Sequence, residues 1–532
     1  MVIPGSWASM EAGSSSKCLQ LRQVVVRITG MVVHPGSPGK RRLVSLCVIL
    51  FGFTTPGCKR DQGGRAVWEG TCSRCHELGE LSGRTAADIR SAIETIPTMG
   101  SLKGRLSDRD LRELEALLAG KLPAKEQAPP AYRHQVTDMC RPCHKRQVAQ
   151  WRETLHAKAH GEAVYDRYFI KASMESGQKL ETFCARCHTP LGVFRGEIPF
   201  GAPPRRPGDT RVSEVAREGV QCDFCHTISG YDRLENGGYR IEAVRVMRGP
   251  LRGARSPMHG TAHEALFRKA ELCGTCHNVS HPGCGIVLES TYTEWRESAY
   301  AREGVVCQDC HMTAGLTRRL ARPGRAAHGG PERRHVSDHT FVGPNVIFAS
   351  DATAEGRELR RRSLELMRRA ARIEIGDPAR ERGRVVLPIR VANVGAGHSL
   401  PTGVTELREM WLELRVKDDR GRTLHESGRL DGQGNLEPDT IVYRTDVYDK
   451  AGKRTTRFWN TASKGRDHRV PARGSITEKI DLGELSAGQL SVEVLLRYRS
   501  VTPAGLQEVG APRNLVKIPT ITMATASRTI KL

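Results

Sequence analysis

One five-residue pattern, Cys-x-x-Cys-His, occurs six times in the chain. The copies are Cys72, Cys75 and His76; Cys140, Cys143 and His144; Cys184, Cys187 and His188; Cys222, Cys225 and His226; Cys273, Cys276 and His277; and Cys307, Cys310 and His311. In each copy the two thiols stand three residues apart. At that spacing each can form a thioether to one of two vinyl groups on a single porphyrin, and the next residue, histidine, falls under the metal. A lone match would be compatible with half a zinc site. Zinc ribbons do not require a histidine after every pair, and here the pattern uses twelve of the 16 cysteines. The chemistry implied is covalent attachment of six haem c groups, each with histidine on one axial position.

The second axial positions must come from elsewhere. Of the 19 histidines, 13 lie outside the motifs, and His34 falls in a leader, leaving 12. His156 and His160, His259 and His263, and His335 and His339 are each spaced i, i+4, which puts both members on one helix face. His398 sits in a glycine-bounded phrase, Gly395-Ala396-Gly397-His398-Ser399-Leu400-Pro401-Thr402-Gly403, whose glycines let backbone approach a macrocycle closely. His134, His281 and His328 are left open, and His425 and His468 read as solvated side chains.

These residues need elements to hold them. The division expected is a leader at 1–57, a one-haem domain at 58–122, a Pro-rich linker at 123–131, a five-haem core at 132–350, a connecting helix at 351–372 and a β-rich domain at 373–532. In the one-haem domain, Met99 lies in a loop before Leu106-Ser107-Asp108-Arg109-Asp110-Leu111, a helix start running through Leu118. That layout resembles class I cytochromes c, and the resemblance implies Met99 as distal ligand. The connecting helix reads as a basic, solvated helix with Leu359, Leu366 and Met367 among Arg357, Arg360, Arg361, Arg362, Arg368 and Arg369; the alternative is a surface for an acidic partner or anionic lipid. Beyond it the period becomes two, at Val385–Val391, Trp411–Val416, Ser475–Leu482 and Leu490–Tyr498, with a hairpin turn at Asp418-Asp419-Arg420-Gly421. Short strands with turn signals over that length predict an all-β sandwich. The fold class expected is thus multidomain: a small all-α cytochrome domain, a haem-dense helix-and-loop core and a C-terminal sandwich.

Met31 is the better start of a secretory leader. Lys40, Arg41 and Arg42 precede an apolar run from Leu43 to Phe53, too short to span a membrane, and then Thr55-Pro56-Gly57-Cys58. The last phrase resembles a lipoprotein cleavage box and makes Cys58 a candidate lipid anchor. Export to the periplasm or outer membrane also suits haem c attachment. Cys284 reads as an inert thiol.

Apolar residues make up 38% and aromatics 5% of the 532, thin for a conventional core of this length. Macrocycles would fill part of the interior. The formal charge is +23, from 82 Lys and Arg against 59 Asp and Glu. About twelve haem propionates would offset roughly half of it. The arginines form no single stripe and no nucleic-acid-binding motif is present, so nucleic acid is not an expected partner.

Several longer phrases carry a wider resemblance: Cys140 to His144 with Gln150-Trp151 and His156; Gly219-Val220-Gln221-Cys222-Asp223-Phe224-Cys225-His226-Thr227; Ser256-Pro257-Met258-His259-Gly260; Thr293-Glu294-Trp295-Arg296-Glu297-Ser298-Ala299-Tyr300 leading to Cys307–Met312; and His339-Thr340-Phe341-Val342-Gly343. From Tyr132 to about Asn345 the chain resembles multihaem cytochromes c related to the tetrahaem electron carriers of the hydroxylamine-oxidation pathway. The resemblance implies close haem packing and electron transfer, with His156, His259, His339 and His398 as distal ligands. Four distal histidines for five core haems leave one iron without an assigned partner. Two functions follow. One is an electron carrier serving redox partner proteins such as other cytochromes or quinol oxidoreductases. The other is an oxidoreductase acting on a small nitrogen or sulfur compound at an open iron. All six motifs end in histidine, so the lysine-terminated motif of pentahaem nitrite reductases is absent.

Overall fold

The computed structural model describes residues 27–30, 44–47, 84–95, 103, 106–119 and 134–532, the last without 201–210, 314–320, 345–348, 487 and 513. Cys58, Cys72, Cys75, His76 and Met99 lie outside the described residues. The chain divides into two units, Met1–Ala128 and Pro129–Leu532.

In the first unit, strands β1 (Arg27–Gly30) and β2 (Val44–Cys47) pair antiparallel. Helices α1 (Ala86–Thr95) and α2 (Asp108–Leu118) bury Ile89 and Ile93, and Leu111, Leu114 and Leu118, respectively. Helix α2 opens at Ser107, whose hydroxyl accepts from the Asp110 N–H at 3.1 Å while the Asp110 carboxylate accepts from the Ser107 N–H at 2.8 Å. This reciprocal cap satisfies two donors that a helix start leaves open.

The second unit begins with short helices and loops. Helices α3 (Lys145–Arg152), α4 (Leu155–Lys158), α5 (Ala163–Glu175), α6 (Glu181–His188) and α7 (Cys222–Thr227) alternate with turns. Strands β3 (Val246–Gly249) and β4 (Gly260–His263) pair parallel, and β5 (Val279–Ser280) and β6 (Val287–Glu289) pair antiparallel. Helix α8 (Glu271–Gly274) ends inside the Cys273–His277 motif, and α9 (Cys307–His311) spans the last motif. Among the described residues, no apolar cluster in this region approaches the size of the one that follows it. The thin hydrophobic content noted in the sequence is concentrated there.

Helix α10 (Ala354–Ala370) is capped by Thr353, whose hydroxyl accepts from the Gly356 N–H at 3.0 Å. Arg357, Arg361, Arg368 and Arg369 face solvent, but Arg362 does not. Its i, i+4 and i, i+5 neighbours Leu366 and Met367 share the inward stripe, so the helix is amphipathic rather than a freely solvated rod.

Residues 371–532 form two larger antiparallel sheets and a separate two-stranded pair, Thr445–Tyr448 with Ser463–Asp467. In the first, β7 (Ala371–Ile375), β8 (Ala379–Glu381) and β13 (Ser475–Asp481) all pair with β9 (Arg384–Asn393). In the second, β10 (Glu409–Lys417) pairs with β11 (Thr423–Ser427), β12 (Val442–Tyr443) and β14 (Gln489–Arg499), and β14 pairs with β15 (Ile521–Lys531). One core joins them: Val385, Leu387, Ile389 and Val391 from the first meet Met410, Leu412, Leu414, Val492 and Leu496 from the second. The Trp411 indole N–H is satisfied inside by the Gly428 carbonyl at 2.9 Å. Leu412 is 1% exposed. Leu412→Ala should cost about 2–5 kcal/mol, read as a fall in the denaturation midpoint of this region by tryptophan fluorescence.

Candidate haem sites

In the described motifs a single helical turn sets the geometry. The His144 N–H donates to the Cys140 carbonyl at 2.9 Å, and the His277 N–H to that of Cys273 at 2.9 Å. Cys184–His188, Cys222–His226 and Cys307–His311 lie wholly within α6, α7 and α9. Helix α7 is started by Gln221, whose side-chain oxygen accepts from the Asp223 N–H at 2.5 Å. Both sulfurs and the imidazole therefore share one face. None of the described motif cysteines, nor Cys284, is paired in a disulfide.

Each described motif histidine is oriented through Nδ1. His144 donates to the Ala326 carbonyl at 2.8 Å, His188 to Ala159 at 3.3 Å, His226 to Arg248 at 2.6 Å and His311 to Val342 at 2.6 Å. His277 instead faces a carboxylate, Glu289 Oε1, at 3.4 Å. A proton held on Nδ1 leaves the Nε2 lone pair free for a metal. Burial pushes His188 and His311 down to about 4 and lowers His226 as well, keeping them neutral. At His277 burial acts in the same direction, but the Glu289 carboxylate outweighs it and holds the ring up at about 9.

Four motif histidines face a second histidine. Ring centroids are 6.4 Å apart for His144 and His259, 6.4 Å for His226 and His339, 6.3 Å for His277 and His156, and 6.5 Å for His311 and His398. Rings in direct contact are closer, as Tyr165 and His188 show at 3.8 Å. Two imidazoles bound to opposite faces of one metal, at about 2 Å per bond, would have centroids roughly 6 Å apart. The described residues thus fit haem c: thiols for attachment, and imidazoles spaced to bracket an iron. Among them, His188 has no facing histidine ring.

The second histidines come from scattered elements. His156 lies in α4, which is capped by Thr154. The Gly219–Val220 turn closes on it, with the Val220 N–H donating to the His156 carbonyl at 2.9 Å. Gly219 has φ +68°, and a Cβ there would stand 2.7 Å from that carbonyl oxygen, so only glycine fits. His259 precedes β4, and its Nδ1 donates to the Gly260 carbonyl at 2.9 Å. His398 is delivered from the β-rich region. Gly395 passes so close to Arg369 that a Cβ would meet its carbonyl oxygen at 2.3 Å. The loop is then clamped by Glu294, which accepts from the Ser399 N–H at 3.0 Å and the Thr402 hydroxyl at 2.9 Å.

Residues 338–343 join three sites. Asp338 is buried against Arg146, Arg322 and Arg362 and accepts from Gln150 at 3.1 Å. His339 faces His226. Phe341 lies edge-on to both His156 at 4.5 Å and His339 at 6.0 Å. Val342 holds His311. Phe341 has φ +41°, a costly conformation for a bulky side chain and one that marks a position set by its surroundings.

The other candidates lie elsewhere. Helix α4 ends at Lys158, so His160 falls beyond it, buried, with Nδ1 at 2.8 Å from the Thr189 hydroxyl. His134 stacks edge-on to Phe194, His281 Nε2 donates to the Trp459 carbonyl at 2.8 Å, and His335 Nδ1 accepts from the Arg322 N–H at 3.1 Å. His263 is in β4, and the His328 N–H bonds the Cys143 carbonyl. Glu289, Glu294, Asp338 and Phe341 were not singled out from sequence. Phe341 and Glu294 stand within resemblance phrases; Glu289 gives no local signal, since it reaches His277 only through the β5–β6 hairpin.

Residues 139–227 match the family described as cytochrome c554 and c-prime. A penta-heme cytochrome c552 from Thermochromatium tepidum has a similar fold, with TM-score 0.52 and 17% identity over 75% of this chain and 100% of that one. A thioester domain of the Enterococcus faecium TIE86 protein aligns at 12% identity over 34% of this chain and 52% of its own, with TM-score 0.10, too low to carry an argument. No curated protein matches. The family match takes in the whole of the second, third and fourth motifs, and over that stretch the chain is similar to this family.

Proposed function

We propose that this chain carries six haem c groups and passes electrons between redox partner proteins outside the cytoplasm. The observation that carries this reading is the facing of four motif histidines by a second histidine at 6.3–6.5 Å. A metal bracketed in this way has no free position for a substrate. Each bound haem supplies a one-electron ferric–ferrous couple; the residues hold, insulate and connect these couples. Connection is supported by thiols of different motifs that lie close enough to shift one another's ionisation: Cys140 with Cys222, Cys187 with Cys276, and Cys273 with Cys307. Phe341, between His156 and His339, lies where the two groups of sites meet. Met99 opposite His76 would complete the first haem and raise its potential. Export through a leader, with a lipid on Cys58, would place the chain at the periplasmic face of a membrane. No helix among the described residues is long and apolar enough to cross one.

His188, whose ring meets Tyr165 and no histidine among the described residues, favours a second reading: a small nitrogen or sulfur compound reduced or oxidised at that one iron. Electron paramagnetic resonance of the oxidised protein separates the two, after intact mass has counted the haems. Low-spin signals alone support the carrier. A high-spin ferric signal lost on adding nitrite, hydroxylamine or cyanide moves the function to His188.

A further inference from the structure

Four of the five described motif histidines donate Nδ1–H to a neutral backbone carbonyl, and His277 alone is placed against a carboxylate. The fold builds this contact. His277 ends its motif, the β5–β6 hairpin reverses the chain, and Glu289 closes β6 beside the imidazole it left twelve residues earlier. The Glu289 side chain is 13% exposed and that of His277 53%, so the carboxylate is held on the protein side of the contact. The Thr291 hydroxyl donates to the same oxygen, Oε1, at 3.3 Å and orients it. A carboxylate acceptor gives the coordinated imidazole partial imidazolate character and makes it a stronger donor, which stabilises ferric over ferrous iron. A carbonyl acceptor does so far less.

We propose that Glu289 is a positioning residue that tunes the haem of the Cys273–His277 motif, making it the lowest-potential member of the five-haem core. The proposal rests on haem c being bound there between His277 and His156. The Cys273 motif adjoins both the Cys184 motif, through Cys187 and Cys276, and the Cys307 motif, through Cys273 and Cys307. A low-potential site at that junction would act as a step that electrons leave in either direction rather than a resting place.

The test uses the full holoprotein and two variants, Glu289→Gln and Glu289→Ala. Glutamine keeps the size and an acceptor oxygen but removes the charge; alanine removes both. Potentials are read by optical and paramagnetic redox titration. The expected result is that in both variants the lowest wave of the wild-type core moves up by at least tenfold in its reduction equilibrium, 59 mV for one electron. The low-spin signal that titrates with it should shift as well. The proposal is overturned if only Glu289→Ala moves a wave, since that is packing, or if neither variant does so while mass and low-spin signals show a full haem complement. A wild-type mass short of six haems would instead overturn the reading beneath it, and is seen before any titration begins.

Discussion

His398→Gly should turn one low-spin haem high-spin and leave the others unchanged. His398 faces His311 at 6.5 Å, and its loop is held by contacts the substitution leaves in place: Glu294 with Ser399 and Thr402, and the Asn393 amide donating to the His398 carbonyl at 2.8 Å. Arg469 pairs with Glu294 from the other side. Removing the imidazole therefore opens one axial position without unfolding the loop. A strong-field nitrogen ligand is lost, so the potential of that haem should rise by on the order of 0.1 V, within the ~0.8 V that axial ligation spans. Cyanide or free imidazole should bind the variant and restore the low-spin signal. An unchanged paramagnetic spectrum would show that His398 is not a ligand, and would return the distal position on His311 to the unassigned histidines.

Asp338→Ala should be among the most destabilising single substitutions in the second unit. The carboxylate is fully buried and answers three arginines, Arg146 from α3, Arg322 from a loop and Arg362 from α10. Arg362 reaches past it to the Thr313 carbonyl and the Thr340 hydroxyl, which ties α10 and the β-rich region to the haem-site region. Deleting the acceptor strands buried cationic charge, and breaking a buried pair by removing one partner costs about 3–5 kcal/mol. The loss also reaches the next residue, His339, whose N–H donates to the Gln150 side chain at 2.9 Å, the same side chain that donates to Asp338. Urea denaturation at neutral pH measures the first effect, and a high-spin signal from the His226 haem the second. Arg362→Leu combined with Asp338→Ala should recover part of the stability, because fewer unmatched charges remain buried. A midpoint within 1 kcal/mol of wild type for Asp338→Ala alone would mean that water reaches the cluster.

Part of the site was open to reading without coordinates. The attachment motifs are local: three residues of spacing on one turn suffice to present two sulfurs and a ring, whatever the rest of the chain does. The alternation in Val385–Val391, Trp411–Val416 and Leu490–Tyr498 coincides with β9, β10 and β14, because a strand half-facing a core writes a period of two into the chain. The turn at Asp418–Gly421 likewise carries its own instructions: Gly421 has φ +77°, and the Asp418 side chain accepts from the Arg420 and Arg422 N–H groups. The arginines of α10 misled for the opposite reason. A helix face is set by its partners, and nothing in Arg361-Arg362 says which one Asp338 will draw inward.

Sequence alone set out where haem attachment is expected, and by which thiols and proximal histidines, since covalent attachment needs only neighbours in the chain. It also offered His156, His259, His339 and His398 as candidates to face them. Only the tertiary structure decided which faces which: His259 meets His144 and His339 meets His226 across more than a hundred residues of chain, while His156 reaches forward to His277. It also decided that His188 meets none, that Phe341 stands between two sites, and that Glu289 rather than a carbonyl receives the His277 proton. Those choices depend on distances between segments far apart in the chain. They are set by loop closure, by burial of charge and by the close approaches that Gly219 and Gly395 permit, and no local pattern records them.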